Sequence, residues 1–331
     1  MRFFSIVLLV LAGLAAWLLY DANRSLSEPL VLTPEHKLHV PSGANLRGLS
    51  EQLQADGVIE RAEYLYAYAR WKKLAHRIKA GEYALSSGMN SFDLLDLLVQ
   101  GKAVQYRLTL VEGWNMRQVR QALLQTERLE DDLSSLDDSQ LLQQLGIEES
   151  YLLPEGLFMP DTYQFTAGDK ASTILARAQS AMHLYLQQAW EKRDPASPLK
   201  SAYEALVLAS IVEKETGVAS ERATIAGVFS RRLIKGMRLQ TDPTVIYGLG
   251  PDFDGDIRRK DLTTDTEYNT YTRHGLPPTP IALAGREAVD AALHPESGSS
   301  LFFVSKGDGS HQFSETLKDH EAAVRKYQLK R

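Results

Sequence analysis

Apolar and polar positions repeat with two different periods along this chain, and the switches between them mark its elements. The first element has no polar face. Residues 3–20 (FFSIVLLVLAGLAAWLLY) are 18 positions without a charge, near the lower end of what crosses a bilayer as a helix. Trp17 and Tyr20 lie at the far end of this stretch, where an interfacial aromatic belt belongs. A cleaved signal peptide is the rival reading. Leu14, Ala15 and Ala16 are followed by further apolar residues rather than a polar mature start, which favours an uncleaved anchor. Residues 1–2 form a stub carrying Arg2, so the positive-inside rule places the stub in the cytoplasm and the rest outside. Residues 21–33, polar and without period, read as a tether.

Beyond the tether the pattern alternates, defining a small module over residues 34–103 that begins in earnest at His36. Residues 37–43 (KLHVPSG) read as a strand closing in a turn. Leu46, Leu49 and Leu53 take helical spacing, residues 62–71 form a second, aromatic-rich helix, residues 81–85 a strand, and residues 91–99 a third helix. This is an α+β module with no catalytic constellation.

Residues 104–331 read as a larger α+β domain. A strand at 104–111 leads into a helix at 116–124, and the acidic, Leu-rich residues 126–144 are predicted helical. Residues 153–168 (LPEGLFMPDTYQFTAG) suit a structured loop lining a cleft, or equally a packed connection. A long helix covers 171–193 and another runs from about residue 200 to Glu215. Ser220 reads as the N-cap of a helix at 221–234. Residues 237–250 look strand-like and turn-like, 256–264 form a charged loop, and 285–293 a short helix. Residues 301–304 (LFFV) and the stretch starting at His311 predict a hairpin. A basic helix at 317–331 closes the chain.

Composition narrows the function. Thirty-seven basic against 42 acidic residues give a net charge of −5, with no basic block to recommend a nucleic-acid partner. The absence of cysteine excludes disulfides, thiolate zinc sites and cysteine nucleophiles without identifying a compartment. His274, His294, His311 and His320 have no metal-ligand spacing. Nucleotide-binding glycine loops and a Gly-x-Ser-x-Gly elbow are missing.

The chemistry concentrates in residues 206–217, LVLASIVEKETG. At about 100° per residue, Leu208, Ile211 and Val212 form an apolar stripe into which Glu215 falls. Gly217 is a natural helix stop, which puts Glu215 in the last turn. Burial and the negative end of the helix dipole both disfavour its ionised form. A carboxylic acid kept protonated near neutral pH is what a general acid requires. A glutamate near a helix end is also an ordinary solvated residue, so spacing alone leaves both readings open. Glu213 points round the helix beside Leu206 and Ala209. Downstream, Gln240, Asp242, Tyr247, Asn269 and Tyr271 supply the amides, hydroxyls and aromatic faces that suit a carbohydrate cleft. Each has a structural reading too: Asp242 before Pro243 as a turn cap, Tyr247 as core.

SIVEKET with SER, the run GMRLQTDPTVIYGLG, then YNTY, GLPP and the LFFV–HQFS pair closely resemble the endolytic murein transglycosylases, the MltG or YceG-like family. PEGLFMPDTYQF resembles that family's upstream loop, and the likeness covers most of the chain, anchor included. It implies that the first module is LysM-like and that the reaction cleaves the β-1,4 bond between N-acetylmuramic acid and N-acetylglucosamine, leaving a 1,6-anhydro end. The second glutamate of the ExE pair, Glu215, is then the catalytic acid. Glu213 is a supporting hydrogen-bond partner or the alternative acid, Gln240, Asn269 and Tyr271 hold acetamido and hydroxyl groups, and Asp242 orients the site. No cofactor or metal is implied. The implied partners are glycan strands, the inner membrane and peptidoglycan synthases, with catalysis on the periplasmic side. A hydrolytic muramidase, with Asp242 or Glu213 activating water, and a non-catalytic glycan-binding scaffold are the competing classes.

Overall fold

The computed structural model describes residues 2–33, 37–148 and 151–329. The expected start of the module at Pro34 to His36, Met1 of the stub and the end of the last helix at residues 330–331 lie outside the described residues. In chain order the elements are α1 (Arg2–Ser27), β1 (Lys37–Val40), α2 (Leu46–Ala55), α3 (Ala62–Trp71), β2 (Gly81–Ala84), α4 (Ser91–Gln100), β3 (Gln105–Thr109), α5 (Met116–Leu124), α6 (Asp138–Gln144), β4 (Thr162–Thr166), α7 (Ala171–Glu191), α8 (Ala202–Glu215), α9 (Arg222–Ile234), α10 (Asp242–Leu249), α11 (Arg259–Thr263), α12 (Arg286–Leu293), β5 (Phe302–Ser305), β6 (His311–Ser314) and α13 (Leu317–Tyr327). Among the described residues the architecture mixes helices with three two-stranded sheets, β1–β2, β3–β4 and β5–β6.

The chain forms two compact units. The first takes in the sequence up to Arg107 with Arg128–Glu130 and Gln164–Asp169. Within it β1 and β2 pair antiparallel, Leu38 opposite Tyr83. Asn45 and Asn90 cap α2 and α4 by accepting backbone N–H groups of the first turn, worth about 1 kcal/mol each. Leu38, Val40, Leu53, Leu65, Tyr83, Leu94 and Leu98 make the core, and burying each such side chain contributes roughly 1.5–3 kcal/mol.

Among the described residues one helix, Phe3–Ser27, is long and apolar enough to cross a membrane. It does not end where the sequence pattern places the tether. Asp21 accepts from Tyr64 Oη at 2.7 Å and pairs with Arg61 at 3.5 Å, and Arg24 bonds Glu28 one turn on. Leu26 and Leu30 are buried in the module core. The following strand-like residues are also held, Leu30 N–H to Met89 O and Val31 N–H to Val58 O. Residues 21–33 are thus a packed part of the first unit, through contacts that lie too far along the chain for local periodicity to reveal.

The second unit is organised around α8. Every residue from Ala205 to Val212 is buried, so the single stripe expected from sequence is too narrow: α7, α9, α10 and α12 all pack on it. Ser210, on this dry helix, is satisfied by donating to Val207 O and accepting from Ile281 N–H. Three further local expectations are corrected. Of residues 126–144 only α6 is helical within this unit: the Asp131 side chain closes a turn on the Leu133 and Ser134 N–H groups, and Asp137 starts α6 by capping it on the Gln140 N–H. Ser220 does not cap α9; it lies in a short 3-10 turn, Ala219–Glu221. Residues 242–249 are the helix α10, with Pro243 in its first turn, where a missing N–H costs nothing.

Candidate active site

Glu215 is the last residue of α8. Thr216 follows in an extended conformation, a geometry its β-branched side chain favours, and so ends the helix one residue before Gly217. The carboxyl of Glu215 emerges at the back of a cleft of about 480 Å³ whose walls include Gln240, Asp242, Tyr271, Arg232, Phe302 and His311.

Two loops bring the polar residues to it. Gln240 adopts φ +51, a left-handed conformation unusual for a residue with a side chain and typical of functional sites. Its N–H donates to Thr270 O at 3.1 Å, and Thr241 N–H donates to Thr270 Oγ1 at 3.1 Å. This splint aims the buried Thr241 hydroxyl at Glu215 Oε1, to which it donates a hydrogen bond. The next residue, Asp242, accepts from Tyr271 Oη at 2.6 Å. Arg232 underpins the loop from below: Nη1 donates to Leu239 O at 2.7 Å and to Gln240 Oε1 at 3.4 Å, and Nε to Leu301 O at 2.7 Å. Its guanidinium stacks 5.1 Å from the Phe302 ring centroid.

Burial pushes the Glu215 carboxyl up to about 7. The neighbouring Asp242 charge pushes the same way, while the Thr241 hydroxyl, His311 and Arg232 favour the carboxylate without overcoming desolvation. Tyr271 is raised as well, by burial first and then by its bond to Asp242, so it remains a phenol and a hydrogen-bond donor.

Of the residues singled out from sequence, the fold brings Glu215, Gln240, Asp242 and Tyr271 together in this cleft. Asn269 is adjacent but turned inward: it is 1% exposed. Its amide nitrogen donates to Asp261 O at 3.0 Å and Thr264 O at 2.6 Å, and its oxygen accepts from Tyr271 N–H at 2.9 Å. Both ends of the amide are committed to the loop that carries Tyr271, which leaves nothing for a direct sugar contact. Glu213 is directed away, its carboxylate accepting from Gly285 N–H at 3.1 Å at the start of α12, and no hydrogen bond joins it to Glu215 among the described residues. Burial raises its carboxyl too. Tyr247 donates to Glu155 at 3.1 Å and faces a different cavity.

Several residues of the site carry no signal at the level of local sequence. Thr241 and Arg232 gain their roles from contacts across loops. His311 and Glu221 lie 90 residues apart and pair doubly: Nδ1 to Oε2 at 2.7 Å, and the His311 N–H to Oε1 at 3.0 Å. The SER and HQFS motifs contain these two residues, but only the folded β5–β6 hairpin joins them.

A model of the YceG-like family matches residues 38–326. The chain is 31% identical over 325 residues to a Bacillus subtilis (strain 168) protein named endolytic murein transglycosylase, covering 92% of this chain and 89% of that one. A Streptococcus pneumoniae serotype 2 protein of the same name is 27% identical over 321 residues, covering 86% of this chain and 57% of the other. A crystal structure of a yceG-like protein from Listeria monocytogenes, 30% identical, superposes with a TM-score of 0.55 over 87% of this chain and 99% of that one.

Proposed function

The chain belongs to the YceG-like family, and from that membership we propose how it works: it is a lytic transglycosylase acting on peptidoglycan, with Glu215 as its acid and its base. Glu215, protonated, gives its proton to the oxygen linking muramic C1 to the next N-acetylglucosamine as that C1–O bond breaks. The resulting carboxylate then takes the proton of the muramic C6 hydroxyl while O6 bonds to C1, closing a 1,6-anhydro ring. No water is consumed and the acid is regenerated. One carboxyl serves both steps, in contrast to the carboxylate pair of a hydrolase. The observation that carries this reading is a carboxyl in a cleft, raised to about 7 by burial and oriented by Thr241. A pKa near ambient pH lets one group do both jobs.

Asp242 and Tyr271, bonded to each other, present a charged and a phenolic edge for sugar hydroxyl or acetamido groups; Gln240 presents an amide. Asn269 acts by holding the Tyr271 loop. Asp242 also lends itself to a second reading, hydrolysis, because it is another carboxylate in the same cleft. Its engagement by Tyr271 and its exposed position favour orientation over water activation.

The apolar helix α1 serves as a single-pass anchor in the inner membrane, with the remainder on the periplasmic side. An enzyme held there meets glycan strands near where synthases polymerise them, so the reading extends to cutting nascent strands and setting their length. The strand–helix–helix–strand order of the first unit supports a LysM-like module. Glu215→Gln, which keeps the shape and hydrogen-bonding reach of the side chain, tests the central assignment. It should fold normally and lose turnover; a well-folded, active Gln variant contradicts it.

A further inference from the structure

The SER and HQFS motifs supply a carboxylate–imidazole pair that the proposed reaction leaves without a role. Glu221 ends the 3-10 turn between α8 and α9, shortly beyond Glu215. His311 opens β6, opposite Ser305 of β5. Their side chains are only 14% and 10% exposed, so the pair is held in one arrangement. Each oxygen of the carboxylate has its own task. Oε1 accepts from the His311 backbone N–H at 3.0 Å, which fastens the hairpin to the turn. Oε2 meets Nδ1 at 2.7 Å, a bond that the fastening does not need. Its effect is to fix the ring.

A carboxylate has only lone pairs, so the ring nitrogen facing it carries the proton, and in the neutral ring Nε2 keeps a lone pair. The Phe303 ring meets the imidazole at 5.4 Å and 88°, and Phe313 lies 6.4 Å away, which leaves the ring little freedom to turn. His311 lines the Glu215 cleft, whereas Glu221 lies outside it. Nδ1 is therefore directed out of the cleft and the Nε2 edge towards it. No hydrogen bond reaches Nε2 among the described residues. The acceptors beside it already hold partners: Glu215 Oε1 has Thr241, Asp242 Oδ1 has Tyr271, and Gln240 Oε1 has Arg232. For packing alone, a third phenylalanine beside Phe303 and Phe313 would serve without the cost of burying a carboxylate.

We propose that His311 is a substrate-binding residue of this cleft, its Nε2 accepting a hydrogen bond from an O–H or N–H group of the glycan, and that Glu221 is a positioning residue which holds the acceptor tautomer. This assignment rests on the transglycosylase reading above and adds a residue pair to it. Sugars bearing hydroxyl and acetamido groups bring donors as well as acceptors into the cleft. Arg232, Thr241 and Tyr271 face it as donors, and Nε2 is a neutral acceptor left open there. A nitrogen lone pair takes such a donor without placing another negative charge beside Glu215.

The test uses the full chain in detergent, labelled with ¹⁵N at histidine, the His311 signals being assigned by their loss in His311→Phe. In the parent, neutral His311 should carry its proton on Nδ1; a proton on Nε2 overturns the proposal. Glu221→Gln keeps the shape of the side chain. Its carboxamide oxygen still accepts from the backbone N–H while its NH2 group faces Nδ1, which reverses the tautomer and makes Nε2 a donor. Two donors then meet, and kcat/KM on purified glycan strands should fall by about tenfold or more with little change in Tm. His311→Phe, which keeps the packing and removes the acceptor, should lose a similar factor. His311→Gln, whose carboxamide oxygen reaches the place of Nε2, should recover most of it and be indifferent to a further Glu221→Gln. Activity that merely follows Tm, with His311→Gln no better than His311→Phe, overturns the proposal, as does an unchanged kcat/KM with the tautomer reversed. Anhydro ends left by the parent keep the transglycosylase reading standing in those cases; a parent that leaves none overturns both.

Discussion

Desolvation decides the chemistry of Glu215, and it does so with a definite sign. Its folded value of about 7 lies above the ordinary 4.5, so the native state holds this proton more tightly than the unfolded chain. The stability contributed by the protonated form is fully present below the ordinary value and is lost as pH rises through about 7. Glu215→Gln removes that loss, and thermal melts at pH 8 should show the variant more stable than the parent, by up to roughly 2–3 kcal/mol. In the mechanism proposed above turnover depends on the same proton, and on that reading the parent's activity should fall as pH rises past about 7. Thr241→Val tests the cause: deleting a hydroxyl that favours the carboxylate should move this alkaline limb to higher pH at nearly unchanged stability of fold, read from a pH–rate profile. At this scale the sequence singles out Glu215 as a carboxyl set by helical spacing in line with Ile211 and Val212, and the fold places it in a cleft at the end of α8. The sequence does not reveal the commitments of Asn269 or Tyr247, whose partners Asp261, Thr264 and Glu155 are matched only in the folded loops.

Elements with a strong period emerge from the pattern with bounds close to those observed, as α3 and α5 do, while elements defined by tertiary burial do not. α8 looks amphipathic in sequence because Ala205, Ala209 and Ser210 do not register as apolar, yet each is fully buried. α10 is hidden because Asp-Pro reads as a turn, although proline is equally at home in a helix's first turn. The loop before β4 shows how tightly such segments are fixed. Gly156 has φ +76, and a methyl built on it would lie 2.4 Å from Pro280 Cβ. Gly156→Ala should therefore destabilise the second unit by about 2–4 kcal/mol, measured by chemical denaturation, and should disturb the adjoining Glu155. A loss below about 0.5 kcal/mol contradicts the packing described here.

For the whole molecule, the consequential feature is that the apolar helix runs without a break into a folded unit. Leu26 and Leu30 are core residues, so a soluble form beginning near residue 34 loses part of its own core. Leu26→Ala should cost about 2–4 kcal/mol in the full chain in detergent, whereas Leu19→Ala, at a position 72% exposed, should change the melting of that unit little. Equal effects at the two positions contradict continuity of helix and module. Charge balance and the long apolar helix are legible from composition and hydropathy; this continuity is not, since it depends on Asp21 meeting Tyr64 and Arg61. The central claim, that Glu215 directs an intramolecular displacement, is tested most directly by digesting purified glycan strands with the full chain in ¹⁸O-labelled water and weighing the new ends. The expected ends are one water lighter than reducing muramic acid, free of ¹⁸O, and missing with Glu215→Gln. Reducing ends carrying ¹⁸O contradict it and point to hydrolysis.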